Sequence, residues 1–513
     1  MSADLVLLEG NVLTMNPNQP SAQAVAVRGN KIVHVGANES VSELIGKGTK
    51  VLRLEGKTVV PGFIDTHVHV TDYGRLLTWL NLENASSIKE IQRLLSECVG
   101  QTGAGKWILG RGWDENRITE NRAPTRFDLD AVSPQNPVVL YHQSGQVCVV
   151  NSKALEVAGI GMQADVGIEK NPETGEPTGV LKDDATNLVW NKIPQPTPDE
   201  LYDSTFMALE KIVQAGITSI HWVVLSEAEL PVIRKLAEQD ALPLRVYVIA
   251  PANLLDAALS ALKNLNNRFL KLGGAVIFAD GYLASRTAAL TEPYSDASEE
   301  QGKLLCSGKE MRVLAEKIRL AGLQLIIHAV GDRAVAEALS VIEAAGSGFV
   351  RPRLEQAAVL NQQLVQRIKR AEVIVSVQPC VVASEFSVWS AASRLGEERV
   401  KWLFPTRVLG ESGVVVAAGS DAPMEPLNPM LGVDAAVKRE ASQKITVTDA
   451  LSMYTRAAAY VSGEEAVKGS IEVGKLADLA VLSINPVSVS SEKLGQISVC
   501  LTVLEGRIVC SKS

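Results

Sequence analysis

The sequence predicts an α/β chain whose main body is a TIM-type (β/α)8 barrel, with a small β-sandwich domain built from both termini and an insertion after barrel strand 1. Three observations carry this expectation. Short β-rich runs alternate with helical stretches through the middle of the chain, which is the order that yields parallel strands joined by helices. Eight such runs can be counted. The two ends of the chain follow a different pattern, of strands separated by tight turns.

Residues 1–58 open with Leu5-Val6-Leu7-Leu8, turn at Glu9-Gly10-Asn11 and continue with Val12-Leu13-Thr14-Met15. Ala24-Val25-Ala26-Val27, a turn at Arg28-Gly29-Asn30 and Ile32-Val33-His34-Val35 follow. The C-terminal part, 466–513, repeats this with a strand at 476–482 and a hairpin over 499–509 that turns at Glu505-Gly506-Arg507. Neither end has enough strands to bury a face alone, so the two are expected to pair across the chain.

The barrel, 59–465, is read from runs at 59–66, 217–223, 244–250, 272–280, 324–330, 353–359, 374–379 and 414–421. Helices with recognisable caps fill the gaps. One starts after Ser307, carries Met311, Leu314, Ala315 and Ile318 on one face and stops at Gly322. Another runs from Asp332 through Val335, Leu339 and Ile342 to Gly346. Residues of about 70–215 do not fit one βα unit: they hold Trp107-Ile-Leu-Gly-Arg-Gly-Trp113, Val138-Val-Leu-Tyr-His142 and a turn-rich 171–177. This stretch reads as the insertion, expected over the C-terminal mouth of the barrel.

Bulk properties narrow the function. Hydrophobic residues make up 46% and charged ones 21%, and a formal charge of −8 is spread without a basic block. That pattern suits a soluble globular protein with a small-molecule substrate, and nothing in it favours nucleic acid or an anionic membrane as partner. The six cysteines (Cys98, Cys148, Cys306, Cys380, Cys500, Cys510) show no CxxC and no disulfide-like spacing, which fits a reducing compartment. The start lacks a basic signal-peptide region, and no apolar run reaches membrane-spanning length. The cytoplasm is the expected location, and a homodimer is one assembly the sequence allows.

The chemistry lies at the strand ends, where barrel enzymes carry their reactive groups. Strand one closes in His67-x-His69, strand five in His328, and strand eight in Asp421 after Gly419-Ser420. Alternate residues of a strand face one side, so His67 and His69 present two imidazoles to one point. Three histidines and a carboxylate match the ligand set of one catalytic divalent ion, zinc or else iron or manganese. With six histidines in the whole chain, three at such places is not a chance distribution.

Pro61-Gly-Phe-Ile-Asp-Thr-His-Val-His69, Ile327-His-Ala-Val-Gly-Asp-Arg-Ala334, Gly419-Ser-Asp421 and Gly469-Ser-Ile-Glu-Val-Gly-Lys-Leu-Ala-Asp478 together resemble the amidohydrolase superfamily, in its amidohydrolase-3 branch. Gly110-Arg-Gly-Trp113, Asn151-Ser-Lys-Ala-Leu155 and Phe278-Ala-Asp-Gly281 extend the resemblance over nearly the whole chain. The resemblance implies a barrel flanked by a β-domain from both termini. It further implies metal-assisted hydrolysis of a C–N bond other than a peptide bond, in an amide, formamide, lactam or cyclic amidine. In that scheme His67, His69, His328 and Asp421 hold the metal, and Asp421 acts as general base and then acid.

The sequence departs from the family's pattern at four places. The strand-four lysine that often bridges two metals is replaced by Val276. Strand six ends Arg353-Leu-Glu-Gln356 in place of Arg-Ile-Glu-His. The Gly-His of the insertion is Gly145-Gln146, and the histidine after the strand-seven Gln-Pro has become Cys380-Val381. Valine cannot bind metal and glutamine offers only a neutral amide, so a dinuclear site is not expected. Two readings survive: a mononuclear hydrolase with Gln356 bonding substrate, or a non-catalytic paralogue that keeps the fold as a binding or signalling protein.

Other candidates have simpler alternatives. Asp280 suits a substrate amine or metal, or else a turn cap; Arg286 an anionic substrate, or else a loop carboxylate; Trp113 a pocket wall, or else a core. His221 is either a further ligand or a hydrogen-bonded barrel histidine, and Cys380 either a soft ligand or a buried thiol. Strict alternation puts Glu355 on the face opposite Gln356, in a supporting role.

Overall fold

The computed structural model describes residues 1–161, 166–388, 391–440 and 442–512. Eight parallel strands form one sheet in sequence order: β1 (Phe63–Val68), β2 (Ile217–Val223), β3 (Arg245–Pro251), β4 (Leu270–Phe278), β5 (Gln324–Ala329), β6 (Arg353–Gln356), β7 (Ile374–Val377) and β8 (Val416–Ala418). All residues of β1, β2 and β5 are buried, as expected of parallel strands covered on both faces. The two edges of the sheet meet beyond β8. Asp421 N–H donates to the His67 carbonyl at 2.8 Å, His69 N–H donates to the Ala422 carbonyl at 2.9 Å, and Val68 and Ala422 form a parallel bridge. The sheet is thereby a nearly closed barrel of the TIM type.

The helices between the strands have the caps their sequences imply. Ser307 and Glu310 form a capping box at the start of Gly308–Leu320, which buries Met311, Ala315 and Ile318. Asp332–Ala345 buries Val335, Leu339 and Ile342 and ends at Gly346.

The run expected at 59–66 is two strands. Thr58–Pro61 pairs with Leu479–Leu482 and with Asn11–Leu13, and only from Phe63 does the chain enter the barrel. Gly62 marks the break: a Cβ there would stand 2.3 Å from Thr218 Oγ1, so the backbone passes β2 at a distance only glycine permits. The two chain ends do pair. A six-stranded sheet runs Arg507–Ser511, Val499–Leu504, Leu479–Leu482, Thr58–Pro61, Asn11–Leu13, Ser21–Ala22; a four-stranded one runs Lys31–Gly36, Ala24–Arg28, Leu5–Leu8, Lys50–Arg53. Leu5, Leu7, Val25 and Val27 from the smaller sheet share a buried cluster with Val12, Val59, Leu479 and Val503 from the larger.

The chain divides into two compact units, residues 1–73 with 205–513, and residues 74–204. The second has its own six-stranded sheet, in the order Ile168–Lys170, Pro177–Lys182, Val147–Val150, Val138–His142, Ile108–Trp113, Leu80–Asn81. Its core is built on Ile91, Leu95, Trp113, Leu140 and Val149. Among the described residues no helix is long and apolar enough to cross a membrane.

Candidate metal centre

His67 and His69 stand at the end of β1 and Asp421 three residues beyond β8, brought side by side by the backbone bonds that join the barrel edges. Their approach requires Gly419, where a Cβ would lie 2.4 Å from His67 N. Asp65 Oδ1 ties the same two segments, accepting the N–H groups of His67 at 3.0 Å and Ser420 at 2.9 Å. Asp421 itself has φ of +63°, a conformation rare for a residue with a side chain and typical of functional sites.

The geometry within this cluster is specific. His67 Nε2 and His69 Nε2 are 3.3 Å apart, and Asp421 Oδ1 lies 3.5 Å from the first and 3.3 Å from the second. The other ring nitrogens face acceptors outside the cluster. His69 Nδ1 faces the Val223 carbonyl at 3.2 Å, and His67 Nδ1 faces Glu355 Oε1 at 3.3 Å. A carbonyl and a carboxylate only accept, so the neutral form of each ring carries its proton on Nδ1 and directs an Nε2 lone pair inward. Two lone pairs and a carboxylate oxygen then converge with no hydrogen among them, an arrangement that repels itself unless a cation sits between. Around a tetrahedral ion with metal–nitrogen distances of 2.0–2.1 Å, neighbouring ligand atoms stand about 3.3 Å apart, which is the spacing seen here. The residues fit a metal ion.

His328, at the end of β5, is buried with its Nδ1 lacking a hydrogen-bond partner and its ring against Phe278 (5.3 Å between centroids) and Tyr282 (6.0 Å). Its nitrogens are not among the ligand atoms of His67, His69 and Asp421 that lie within 4.8 Å of one another. It does lie in their field: burial first, and a charge on His67 whenever that ring is protonated, lower its pKa to about 4, keeping the imidazole neutral and able to coordinate. Burial pushes against a charge on His67, but the Glu355 carboxylate outweighs it and raises the pKa of that ring. Burial likewise opposes ionisation of Asp421, which the three imidazoles favour and hold below the usual carboxylate range.

Glu355 corrects a sequence expectation. It points into the barrel, because Gln356 at φ of +70° and Ala357 at +46° leave the pleat and the parity count fails there. Burial would raise the Glu355 carboxyl, but the Arg353 guanidinium and then His67 hold it down at about 2. Arg353 is fully buried, bonds Glu355 and also reaches His221 Nδ1 (3.0 Å), the Thr66 carbonyl (2.6 Å) and Ser376 Oγ (3.0 Å). Gln378 Nε2 donates to Glu355 Oε1 at 2.7 Å. His221 is thus a hydrogen-bonded barrel histidine, stacked on Tyr247 at 4.5 Å. The signal in the sequence was the Arg-x-Glu of β6, two opposite charges two residues apart in an apolar strand.

The other candidates disperse. Gln356 is buried at the end of β6, and its side chain has no hydrogen bond to another described residue. Asp280 accepts N–H groups from Ala289 (2.8 Å), Val330 (2.9 Å) and Gly331 (2.9 Å), so the capping alternative describes it and a substrate or metal role does not. Arg286 pairs with Asp296 at 3.1 Å, the loop-carboxylate alternative. Trp113 is 1% exposed, donates from Nε1 to the Leu140 carbonyl at 2.8 Å and packs in the core of residues 74–204; the expected pocket wall gives way to a core tryptophan. Val276 is buried among Val223, Tyr247, Ile249 and Ile326 and offers no ligand. Cys380 is partly buried, and burial pushes its thiol up to about 12, far from thiolate chemistry.

A second group, Asp114, Glu115 and His142, also gathers ligand-type atoms. Here the Ser144 N–H donates to His142 Nδ1 at 3.1 Å, which places the ring proton on Nε2, facing Glu115 Oε2 at 3.2 Å. With Nδ1 accepting that bond, no imidazole lone pair turns toward the two carboxylates.

Comparison with known proteins shows the family of the chain. The amidohydrolase family model matches residues 50–510. A putative amidohydrolase of Bacillus subtilis, YtcJ, is 31% identical over 98% of this chain and 99% of its own length. N-substituted formamide deformylase of Arthrobacter pascens is 27% identical over 98% of this chain and 97% of its own. The crystal structure of an uncharacterized metal-dependent hydrolase from Pyrococcus furiosus superposes with a TM-score of 0.77 at 27% identity, covering 94% of this chain and 100% of that one.

Proposed function

The chain belongs to the amidohydrolase family, and on that premise we propose that it is a mononuclear metal-dependent hydrolase of a C–N bond other than a peptide bond, in an amide, formamide, lactam or cyclic amidine. The observation that carries this reading is the convergence of His67 Nε2, His69 Nε2 and Asp421 Oδ1 on one point. His67, His69, His328 and Asp421 would hold one divalent ion, zinc or else iron or manganese. Bound there, the ion supplies Lewis acidity toward water and toward the scissile carbonyl or imine carbon.

The remaining work falls to the chain. The second carboxylate oxygen of Asp421 takes a proton from the attacking water and delivers it to the leaving nitrogen, so that the amine departs neutral. Glu355 and the Val223 carbonyl fix the two imidazoles on Nδ1, which sets their Nε2 direction and raises their basicity toward a metal. Gln356, whose amide makes no hydrogen bond to another described residue, bonds the substrate in this reading. One ion suffices because neither Val276 nor Gln356 can supply what a second would need.

The test is hydrolysis of N-substituted formamides, lactams and cyclic imides by zinc-loaded protein. Turnover that is lost in Asp421→Asn supports the reading, and its absence across metals and substrates opposes it. Those same two substitutions, Val276 and Gln356, favour one competing reading, a non-catalytic paralogue that binds or signals. It predicts that Asp421→Asn is without effect on the protein's role.

A further inference from the structure

Resting on that reading of the barrel mouth, we infer that Glu425 recognises a cationic group, an ammonium or amidinium, on the substrate. Glu425 lies four residues past Asp421, in the loop after β8 where barrel enzymes place specificity. The loop folds back on Asp421, whose carbonyl accepts the N–H groups of Met424 at 2.8 Å and Glu425 at 3.4 Å. The carboxylate reaches the neighbouring loop element, the helix Pro379–Val388 after β7, where Ser384 Oγ donates to Oε1 at 2.5 Å.

That hydroxyl is its one side-chain hydrogen-bond partner among the described residues. Glu425 is half-buried, and among the described residues no lysine or arginine pairs with it. A carboxylate withdrawn from water without a cation is costly to the fold. Tyr282 is 59% exposed with its ring 6.0 Å from that of His328, so an aromatic face is open beside the metal site.

These surroundings sort substrates by charge. A substrate carboxylate away from the reacting carbonyl would meet Glu425 with like charge, and a neutral group would leave the acid unpaired. An ammonium or amidinium gains an ion pair in a partly dry site, and the Tyr282 face is a further surface such a cation favours.

The experiment uses zinc-loaded full-length protein, wild type and Glu425→Gln, titrated with benzylammonium and with benzyl alcohol, its neutral counterpart. Affinities are read by ligand-observed NMR, and zinc content is measured on the same samples. Wild type is expected to bind benzylammonium at least ~10-fold tighter than the alcohol, and Glu425→Gln to reduce that ratio below ~3-fold. Equal affinity of the two probes in wild type overturns the inference, even where the variant does not fold; so does a ratio that survives in a folded variant. Binding is read without turnover, so protein that hydrolyses nothing but keeps the ratio would count against the hydrolase reading and not against the cation site.

Discussion

Glu355 Oε1 stands 3.3 Å from His67 Nδ1, and this contact joins the candidate metal site to a buried polar cluster of the barrel interior. Behind it lies Arg353, fully buried and bonded across to β1, β2 and β7. The carboxylate is therefore counter-charge to a buried guanidinium and, on the proposed reading, also the group that orients a metal-binding ring.

Glu355→Gln should separate these jobs. Loss of the charge behind His67 is expected to weaken zinc binding by ~10–100-fold, measured by competition with a chelator. The buried Arg353 left unpaired should cost about 3–5 kcal/mol in urea unfolding. A stability loss with unchanged zinc affinity would reduce Glu355 to a structural role.

Asp421→Asn keeps the size of the side chain but removes the proton acceptor. With zinc restored by excess metal, kcat on any amide substrate is expected to fall by ~10²–10⁴-fold. A variant that retains wild-type kcat would assign proton transfer to another group.

Asp280 sets a pH dependence of folding. Burial lifts its carboxyl to about 6 in spite of the backbone N–H groups that favour the charge. The folded chain thus holds this proton more tightly than the unfolded chain, whose carboxyl titrates near its ordinary value of about 4. The sign follows: this group's contribution to stability falls as pH rises from about 4 to 6 and is flat above. Denaturant unfolding between those limits should show the decline in wild type and a shallower one in Asp280→Ala, where Asp65, likewise raised to about 6 by burial, still contributes. The same variant orphans three buried N–H groups and should cost several kcal/mol at neutral pH, at about 1–3 kcal/mol for each unsatisfied group.

Much of this was legible in the sequence, for physical reasons. Runs such as Ile217–Val223 are apolar throughout because both faces of a parallel strand are covered, so the barrel strands announce themselves. His67-x-His69 could be read because period-two geometry is local. What was not legible depended on departures from that period. Gln356 and Ala357 turn to positive φ, so counting parity sent Glu355 to the wrong face. Gly62 splits one apolar run between two sheets, a division decided by Thr218 of another strand. Trp113 and Asp280 sit in motifs that looked like site residues, and only their partners, Leu140 and the backbone of Ala289, Val330 and Gly331, reveal structural roles.

Trp113→Phe tests that distinction. Loss of the Nε1 bond to the Leu140 carbonyl should destabilise the protein by about 0.5–1.5 kcal/mol, together with a repacking cost. Zinc content and the Michaelis constant of any substrate found should stay as in wild type. A raised Michaelis constant at unchanged stability would return Trp113 to the pocket.

The central claim is that His67, His69 and Asp421 converge to hold one metal ion, and elemental analysis of purified protein measures it most directly, with His67→Ala run alongside. The account predicts about one equivalent of zinc, iron or manganese per chain, lost in the variant. No metal after incubation with all three ions, or about two equivalents per chain, would contradict it.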